Sequence, residues 1–118
     1  HAIIDAILGA TASGDIGLLF PSDNLKYKNF HSSDFLKIVK KEILNKNHKI
    51  LHIDSVVILQ SPKLRTYIDQ MRINISNILD LKLNQISIKA TTTDFLGYIG
   101  RGEGLAAQSI VTIEYNRL

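Results

Sequence analysis

Cysteine and tryptophan are absent from this 118-residue sequence, which contains only two prolines and one methionine. Without cysteine the chain has no disulfide framework and no cysteine-based zinc site. No apolar run approaches the roughly 18 residues of a membrane-spanning helix, and no secretory signal pattern is present. A Ser-His-Asp or Cys-His set is also lacking, which agrees with chemistry that needs no protein nucleophile but agrees with many other functions as well.

The composition predicts one compact α/β domain over residues 1–118. Hydrophobic residues make up 45% of the chain, and the 21% that are charged mix both signs, which argues against disorder. The net charge of +3 suits an anionic ligand. Lys37, Lys40 and Lys41 fit the solvated face of a helix rather than a nucleic-acid arm, and aromatic residues are not interleaved with basic ones. We therefore expect neither a nucleic-acid nor a membrane partner.

Apolar periodicity predicts the order helix, helix, strand, helix, strand, strand, which makes a two-layer α/β sandwich with one mixed sheet. The predicted helices are 1–12, 33–44 and 61–81, and the predicted strands are 49–61, 86–90 and 105–115. The segment 18–32 has no clear period, so we expect it to be irregular and mobile. Leu51, Ile53 and Val57 are expected on one face of a central strand, because both of its faces carry apolar residues.

The stretch 89–104 is the most informative part of the chain. Three consecutive threonines, Thr91–Thr93, offer hydroxyl and backbone donors, and Asp94 places a carboxylate beside them. Donors next to a carboxylate suit a phosphate that arrives with Mg²⁺, which prefers one or two carboxylates plus phosphate oxygens. Gly97, Gly100, Gly102 and Gly104 follow. The alternative is a Thr-rich strand end followed by an ordinary Gly-rich turn.

A second donor-rich turn is predicted at Ser61-Pro62-Lys63, directly after the central strand. Ser61 would cap a helix that begins at Pro62, so that Lys63 and free N–H groups would attract an anion. The alternative is a well-capped helix with a surface lysine. The two turns would suit one diphosphate if they face each other, or if two subunits bring them together.

Near the start of the chain, His1 and Asp5 share one predicted helix face, and Asp5 could orient the histidine ring. The alternative is a helix-end histidine with a chance neighbour. Gly14 is expected as the left-handed helix cap. Asp15, between Gly14 and Gly17, would either accept hydrogen bonds from a polyol or make local turn hydrogen bonds.

Three ordered stretches resemble the 2-C-methyl-D-erythritol 2,4-cyclodiphosphate synthase family of the non-mevalonate isoprenoid pathway. They are His1 with Asp5 and Gly14-Asp15-Ile16-Gly17, then Gln60-Ser61-Pro62-Lys63, then Ala90-Thr91-Thr92-Thr93-Asp94 with Gly100-Arg101-Gly102-Glu103-Gly104. The resemblance covers essentially the whole chain. The family's upstream Asp-x-His motif is not in it, so we expect that an N-terminal segment is missing.

The resemblance implies a phosphorus–oxygen lyase that cyclises 4-diphosphocytidyl-2-C-methyl-D-erythritol 2-phosphate and releases CMP. It implies a homotrimer with shared active sites and about four strands in the intact domain. The implied zinc ligand is His1, with Asp5 behind it, and Asp94 would hold Mg²⁺ or Mn²⁺ although the family position usually carries Glu. The implied catalytic residues are Thr92, Thr93 and Asp94, and the implied substrate contacts are Asp15, Ile16, Gly17, Ser61, Pro62, Lys63, Ala90, Thr91, Thr92 and Thr93.

Tyr98, Arg101 and Glu103 would line the three-fold axis, where Arg101 would offer an anion site for an isoprenoid diphosphate. The resemblance places the protein in a bacterial cytoplasm, or in a plastid-type organelle of a eukaryote. Two other function classes stay open. One is a non-catalytic domain of the same fold that binds nucleotide diphosphates, and the other is a basic nucleic-acid-binding module, which would show a steep salt dependence.

Overall fold

The computed structural model describes residues 1–116 as a single α/β unit. Its helices are α1 (Ala2–Ala10), α2 (Ile16–Leu19), α3 (Ser32–Glu42), α4 (Arg65–Leu79) and α5 (Gly97–Gly100). Its strands are β1 (His48–Ile58), β2 (Ile86–Thr91) and β3 (Ala106–Tyr115). Short 3₁₀ turns lie at Leu25–Tyr27 and Leu83–Gln85. The predicted order of the long helices and strands is confirmed.

The three strands form one mixed sheet in the order β2-β1-β3. β1 pairs in parallel with β2 and antiparallel with β3, so the prediction that it is central is confirmed. Helix α1 packs on β3, α4 packs on β2, and α3 packs on α4. The described residues therefore form a helical layer on a mixed sheet, whereas a fourth strand stays a prediction for the intact domain.

The core lies between this helical layer and one face of the sheet. Apolar residues recur at three- and four-residue spacing along α1 and α3, which places them on one side of each helix. The buried core side chains are Ile4, Ile7, Leu8, Phe20, Leu36, Val39, Ile50, Ile53 and Leu79. None of the helices within residues 1–116 is both long and apolar enough to cross a bilayer.

The predicted facing of β1 is wrong for Leu51. The pairing of β1 with β3 shifts register between Ile50 and His52, so Leu51 is an extra residue opposite the partner strand. One extra residue reverses the alternation of side chains. Ile50 and Ile53 are consequently buried, whereas Leu51 is 39% exposed.

The predicted start of the third long helix is also wrong. Helix α4 begins at Arg65, its N-cap residue is Leu64, and no side chain caps it. The chain remains beside β2 through Leu59, whose N–H donates to the Thr91 carbonyl at 3.0 Å. It then turns through residues 60–64 before the helix can begin, so Ser61 is not an N-cap and Lys63 is not in the first helical turn.

The segment expected to be irregular contains α2 and the 3₁₀ turn at Leu25–Tyr27. Rings of Phe20, Tyr27 and Phe30 pack against Phe35 of α3 with centroid distances of 4.5, 5.9 and 5.6 Å. Helix α3 itself begins at Ser32 rather than after Ser33, and the Asp34 carboxylate accepts a hydrogen bond from the His31 N–H at 3.0 Å. The mobility of the segment 18–32 stays a prediction.

Helix α1 ends before Gly14, so that glycine is not its cap. The C-cap is Thr11, and Ala12 is the first left-handed residue, with φ of 53°. Gly14 does have a positive φ of 90°, and a Cβ added there would lie 2.7 Å from Leu18 Cδ2. Gly9, inside α1, has open space around it.

Two glycine substitutions should therefore have opposite effects on stability. Gly9→Ala should raise the free energy of unfolding by up to about 1 kcal/mol, because alanine favours a helix. Gly14→Ala should lower it by about 1–3 kcal/mol, because alanine is strained at positive φ. Urea unfolding of both variants beside the parent protein measures the two changes, and equal stability of Gly14→Ala and the parent would contradict the assignment.

Candidate active site

The ends of β1 and β2 lie together because the two strands are parallel neighbours. Ile58, the last residue of β1, is paired with Thr91, the last residue of β2. The carboxyl ends of adjacent parallel strands open on the same edge of a sheet, where ligands commonly bind. Each strand continues into one of the two donor-rich turns predicted from the sequence.

A cavity of about 350 Å³ lies between these turns. Its lining consists of Leu59, Gln60, Pro62, Lys63, Leu64, Arg65, Ala90, Thr91 and Thr92. The two turns therefore face each other within one chain, which is one of the two arrangements that would suit a diphosphate. Two cations and two threonines line the cavity and no carboxylate does, so its electrostatics favour an anion.

Asp94 and Thr93 adjoin this cavity but do not line it, and the same is true of Ser61. The Thr92 hydroxyl accepts from the Asp94 N–H at 3.1 Å and donates to Asp94 Oδ1 at 3.3 Å. The Thr93 hydroxyl donates to the Leu96 carbonyl at 2.7 Å. The threonine side chains thus shape the loop as well as the cavity, and Thr93 uses its donor inside the loop.

Gln60 joins the two turns, a role that the sequence did not predict. Its Oε1 accepts a hydrogen bond from the Phe95 N–H at 2.9 Å. Leu64 and Arg65 are further cavity residues that were not predicted. The only sequence signal for Gln60 is its place directly before Ser61-Pro62-Lys63 in the motif that carries the resemblance.

A second cavity, of about 560 Å³, lies near the start of the chain. Its lining includes His1, Ile16, Gly17, Phe20 and Asp23. The two cavities share no lining residue within the described chain. The groups predicted to hold zinc and a polyol are therefore separate, in one copy of the chain, from the groups predicted to hold phosphates.

Two carboxylates near the second cavity have backbone partners. Asp15 Oδ1 accepts a hydrogen bond from the Leu18 N–H at 2.8 Å and so caps α2. This is the local turn hydrogen bond that the sequence offered as an alternative to a polyol contact. Asp5 Oδ1 accepts from the Ile16 N–H at 2.8 Å, so it ties α1 to the next loop rather than to the His1 ring. His1 Nε2 lies 3.3 Å from Ser32 Oγ.

The predicted metal donors are not grouped within residues 1–116. No three His, Asp or Glu side chains of these residues lie close enough together to hold a metal ion. A zinc site has four ligands, three of them from protein in catalytic sites. The described residues alone therefore do not complete a zinc site at His1, whereas Asp94 supplies the single carboxylate that can suffice for Mg²⁺ bound together with phosphates.

Arg101 and Glu103, predicted to line a three-fold axis, form an exposed ion pair with each other. Arg101 Nε donates to Glu103 Oε1 at 2.8 Å, and Nη2 donates to Oε2 at 3.3 Å. Tyr98 lies beside Gly104, where an added Cβ would meet its ring at 3.4 Å. Pairing offsets the charge that Arg101 would present to an anion, and the predicted anion site stays a prediction.

An ion pair crosses from β1 to the strand that delivers the threonines. Lys89 Nζ lies 3.0 Å from Asp54 Oδ2, and this hydrogen bond and charge lower the pKa of the Asp54 carboxyl below its ordinary value. The other oxygen, Oδ1, is buried and has no hydrogen-bond partner among residues 1–116. Lys89, one residue before Ala90, thus contributes most to stabilising the charge of Asp54.

The family model and the relatives of known name indicate the same protein family. The model of the YgbB family matches residues 1–114. The chain is 49% identical over 113 residues to a 2-C-methyl-D-erythritol 2,4-cyclodiphosphate synthase of Buchnera aphidicola subsp. Schizaphis graminum, covering 96% of this chain and 68% of that protein. It is 51% identical over 110 residues to the synthase of that name from Clostridium acetobutylicum, covering 93% of this chain and 71% of that protein.

Solved structures agree with these relatives. The bifunctional IspDF of Campylobacter jejuni superposes with a TM-score of 0.92 at 43% identity, and the match covers 98% of this chain and 31% of that one. The CDP complex of IspF from Plasmodium falciparum superposes with a TM-score of 0.84 at 34% identity, covering 99% of this chain and 70% of that one.

The Asp54–Lys89 pair predicts a particular pH dependence of stability. A carboxyl whose pKa is lowered by folding stabilises the protein above its unfolded pKa of about 4, and this stabilisation is lost as the pH falls through the folded pKa. Lys89→Met should therefore flatten the loss of unfolding free energy below about pH 4. Denaturant titrations at several acidic pH values measure the slope, with Lys37→Met, an exposed lysine of α3, as the control. An unchanged slope in Lys89→Met would contradict the pairing.

Proposed function

The chain belongs to the YgbB family, and from that premise we propose that it cyclises 4-diphosphocytidyl-2-C-methyl-D-erythritol 2-phosphate to 2-C-methyl-D-erythritol 2,4-cyclodiphosphate with release of CMP. The observation that carries the proposal is the cavity between the ends of β1 and β2, which is lined by two cations and no carboxylate. The synthase name of the relatives and the CDP bound to the similar Plasmodium falciparum protein support it. The reaction would be that of a phosphorus–oxygen lyase.

The chemistry needs no protein nucleophile, because the substrate supplies its own. An oxygen of the 2-phosphate attacks the β-phosphorus, a new P–O bond closes the ring, and the bond from the β-phosphorus to the bridging oxygen breaks. CMP leaves with the electrons of that bond. The protein must then hold attacking and leaving oxygens in line and offset the phosphate charge.

Lys63, Thr91 and Thr92 are the groups of this chain that suit that task. Lys63 brings a positive charge to the cavity, and Thr91 and Thr92 bring hydroxyl groups to its wall beside Ala90. Pro62 shapes the turn that carries Lys63. Ser61 and Thr93 adjoin the cavity without lining it. This wall of the cavity would bind the diphosphate of the nucleotide.

The polyol end of the substrate fits the second cavity. Ile16 and Gly17 line it, and the loop that carries them is fixed by the two Asp5 and Asp15 hydrogen bonds to its backbone. Asp15 retains acceptor capacity on its carboxylate beyond the bond to Leu18, since an ionised carboxylate has about four lone-pair sites. We assign the erythritol hydroxyls to this loop.

Two metal ions belong to the proposal, each with one donor in this chain. His1 would supply one ligand to Zn²⁺, and the other protein ligands would come from outside residues 1–116. Asp94 would supply one ligand to Mg²⁺ or Mn²⁺, with phosphate oxygens completing the shell. Ions held by His1 and Asp94 would supply Lewis-acid stabilisation of negative charge.

A homotrimer with active sites shared between subunits completes the proposal. The separation of the two cavities in one chain supports it, because one substrate must reach both. Large apolar side chains are also exposed near the Gly-rich stretch and on β3, namely Phe95, Leu96, Tyr98, Leu105 and Ile110. Tyr98, Arg101 and Glu103 would surround the axis, where an isoprenoid diphosphate is the proposed ligand.

The alternative is a domain of this fold that binds nucleotide diphosphates without turnover. It needs no metal ligands beyond the single donors His1 and Asp94 that residues 1–116 supply. Both functions need the cavity between β1 and β2, so binding of a cytidine nucleotide alone does not separate them. Release of CMP does.

CMP release from the diphosphocytidyl substrate should be chelator-sensitive in the protein that carries this chain. Asp94→Ala and His1→Ala should each lower kcat/KM by about 10²-fold or more, the usual effect of losing a group that stabilises transition-state charge. Lys37→Ala, on the exposed face of α3, is the matched control and should retain activity. Nucleotide binding without CMP release from the folded parent protein would favour the non-catalytic alternative.

Mixing two inactive variants tests whether active sites are shared. Lys63→Ala removes a group of the β1–β2 cavity, and His1→Ala removes a group of the other cavity. If each site joins these groups from different subunits, unfolding and refolding the two variants together should restore part of the CMP release. Activity that stays at the level of the separate variants, in oligomers shown to be mixed, would place both groups in one subunit's site.

A further inference from the structure

The hydrogen bond between Gln60 and Phe95 spans 35 residues and joins the two turns of the β1–β2 cavity. A backbone N–H requires an acceptor, so the carboxamide of Gln60 must present its oxygen to Phe95. Gln60 also lines the cavity. Among the described residues, only Gln60 both lines the cavity and forms a side-chain hydrogen bond with the backbone that follows Asp94.

The backbone that receives this bond is in an unfavourable conformation. Asp94 and Phe95 have φ values of 52° and 66°, a consecutive left-handed pair without a glycine. Non-glycine residues hold such angles only where their surroundings enforce them. The Phe95 side chain does not enforce them, because it is 77% exposed.

Gly100 lies close to the same backbone. A Cβ added at Gly100 would lie 2.1 Å from the Phe95 carbonyl carbon and 2.6 Å from its Cα. Neither Gly97 nor Gly102 has any atom within 4 Å of an added Cβ. The Phe95 backbone is thus close to both the Gln60 carboxamide and the bare backbone of Gly100.

We propose that Gln60 is a positioning residue for Asp94. By holding the Phe95 N–H, its carboxamide oxygen keeps the Asp94–Phe95 backbone left-handed and so fixes the Asp94 carboxylate beside Thr92. Gln60 acts through this loop and not by contact with substrate. The inference rests on the function proposed above, because it gives Asp94 a role in the reaction.

A double-mutant cycle separates positioning from direct contact. Gln60→Met removes the acceptor at similar side-chain volume, and Phe95→Gly removes the strain at that residue, because glycine adopts positive φ freely. Gln60→Met should lower kcat/KM for CMP release roughly three- to tenfold, the range expected for one lost hydrogen bond, and should raise the Mg²⁺ or Mn²⁺ concentration for half-maximal rate. Gln70→Met, which loses a side-chain hydrogen bond on the exposed face of α4, should change neither.

In the Phe95→Gly background the same Gln60→Met change should have a clearly smaller effect on both quantities. An equal effect in the two backgrounds, or no effect in either, would overturn the proposal. Amide hydrogen exchange at Phe95 gives a readout that does not need the reaction. The Phe95 N–H should be protected in the parent protein and exchange faster in Gln60→Met.

The failure of the proposed function is distinguishable from the failure of this inference. If the parent protein releases no CMP, the function is wrong, and exchange at Phe95 still decides whether Gln60 holds the loop. If CMP is released and Phe95 exchanges at the same rate with and without Gln60, the function stands and the positioning role is wrong.

Discussion

The parallel pairing of β1 with β2 is the constraint on which the rest of the structure depends. It extends past both strands, where the Leu59 N–H still donates to the Thr91 carbonyl at 3.0 Å. Because the pairing is parallel, both strands end at one edge of the sheet, and two turns from distant parts of the chain line one cavity. The helices pack on one face of the sheet and so hold its edge in place. Lys63 and Thr92 line the same cavity only because of that geometry.

Much of the fold is predictable because burial leaves a periodic trace in the sequence. The three strands, the three long helices and the mixed sheet follow from alternation and from three- and four-residue apolar spacing. The start of α4 does not follow, because Ser61-Pro62 is a local helix-start signal and the β1–β2 pairing overrides it. The facing of Leu51 does not follow either, since a bulge depends on the partner strand.

In the candidate site, too, some features are predictable from the sequence and others are not. Lys63, Thr91 and Thr92 are predictable because each lies in a short motif whose donors suit an anion. The partners of Asp5 and Gln60 are not, because Ile16 and Phe95 lie 11 and 35 residues away and no local pattern records such contacts. Metal binding at His1 and Asp94 comes from the family resemblance, and the described residues supply a single donor for each ion.

The bulge in β1 separates the two halves of the central strand. Between Ile50 and His52 the strand advances two residues while β3 advances one, from Ile113 to Thr112. Removing Leu51 would therefore leave an uninterrupted ladder and would not move Ile58 away from Thr91. Loss of that one residue would leave the cavity edge in register, so the site at the far end of β1 does not depend on the bulge.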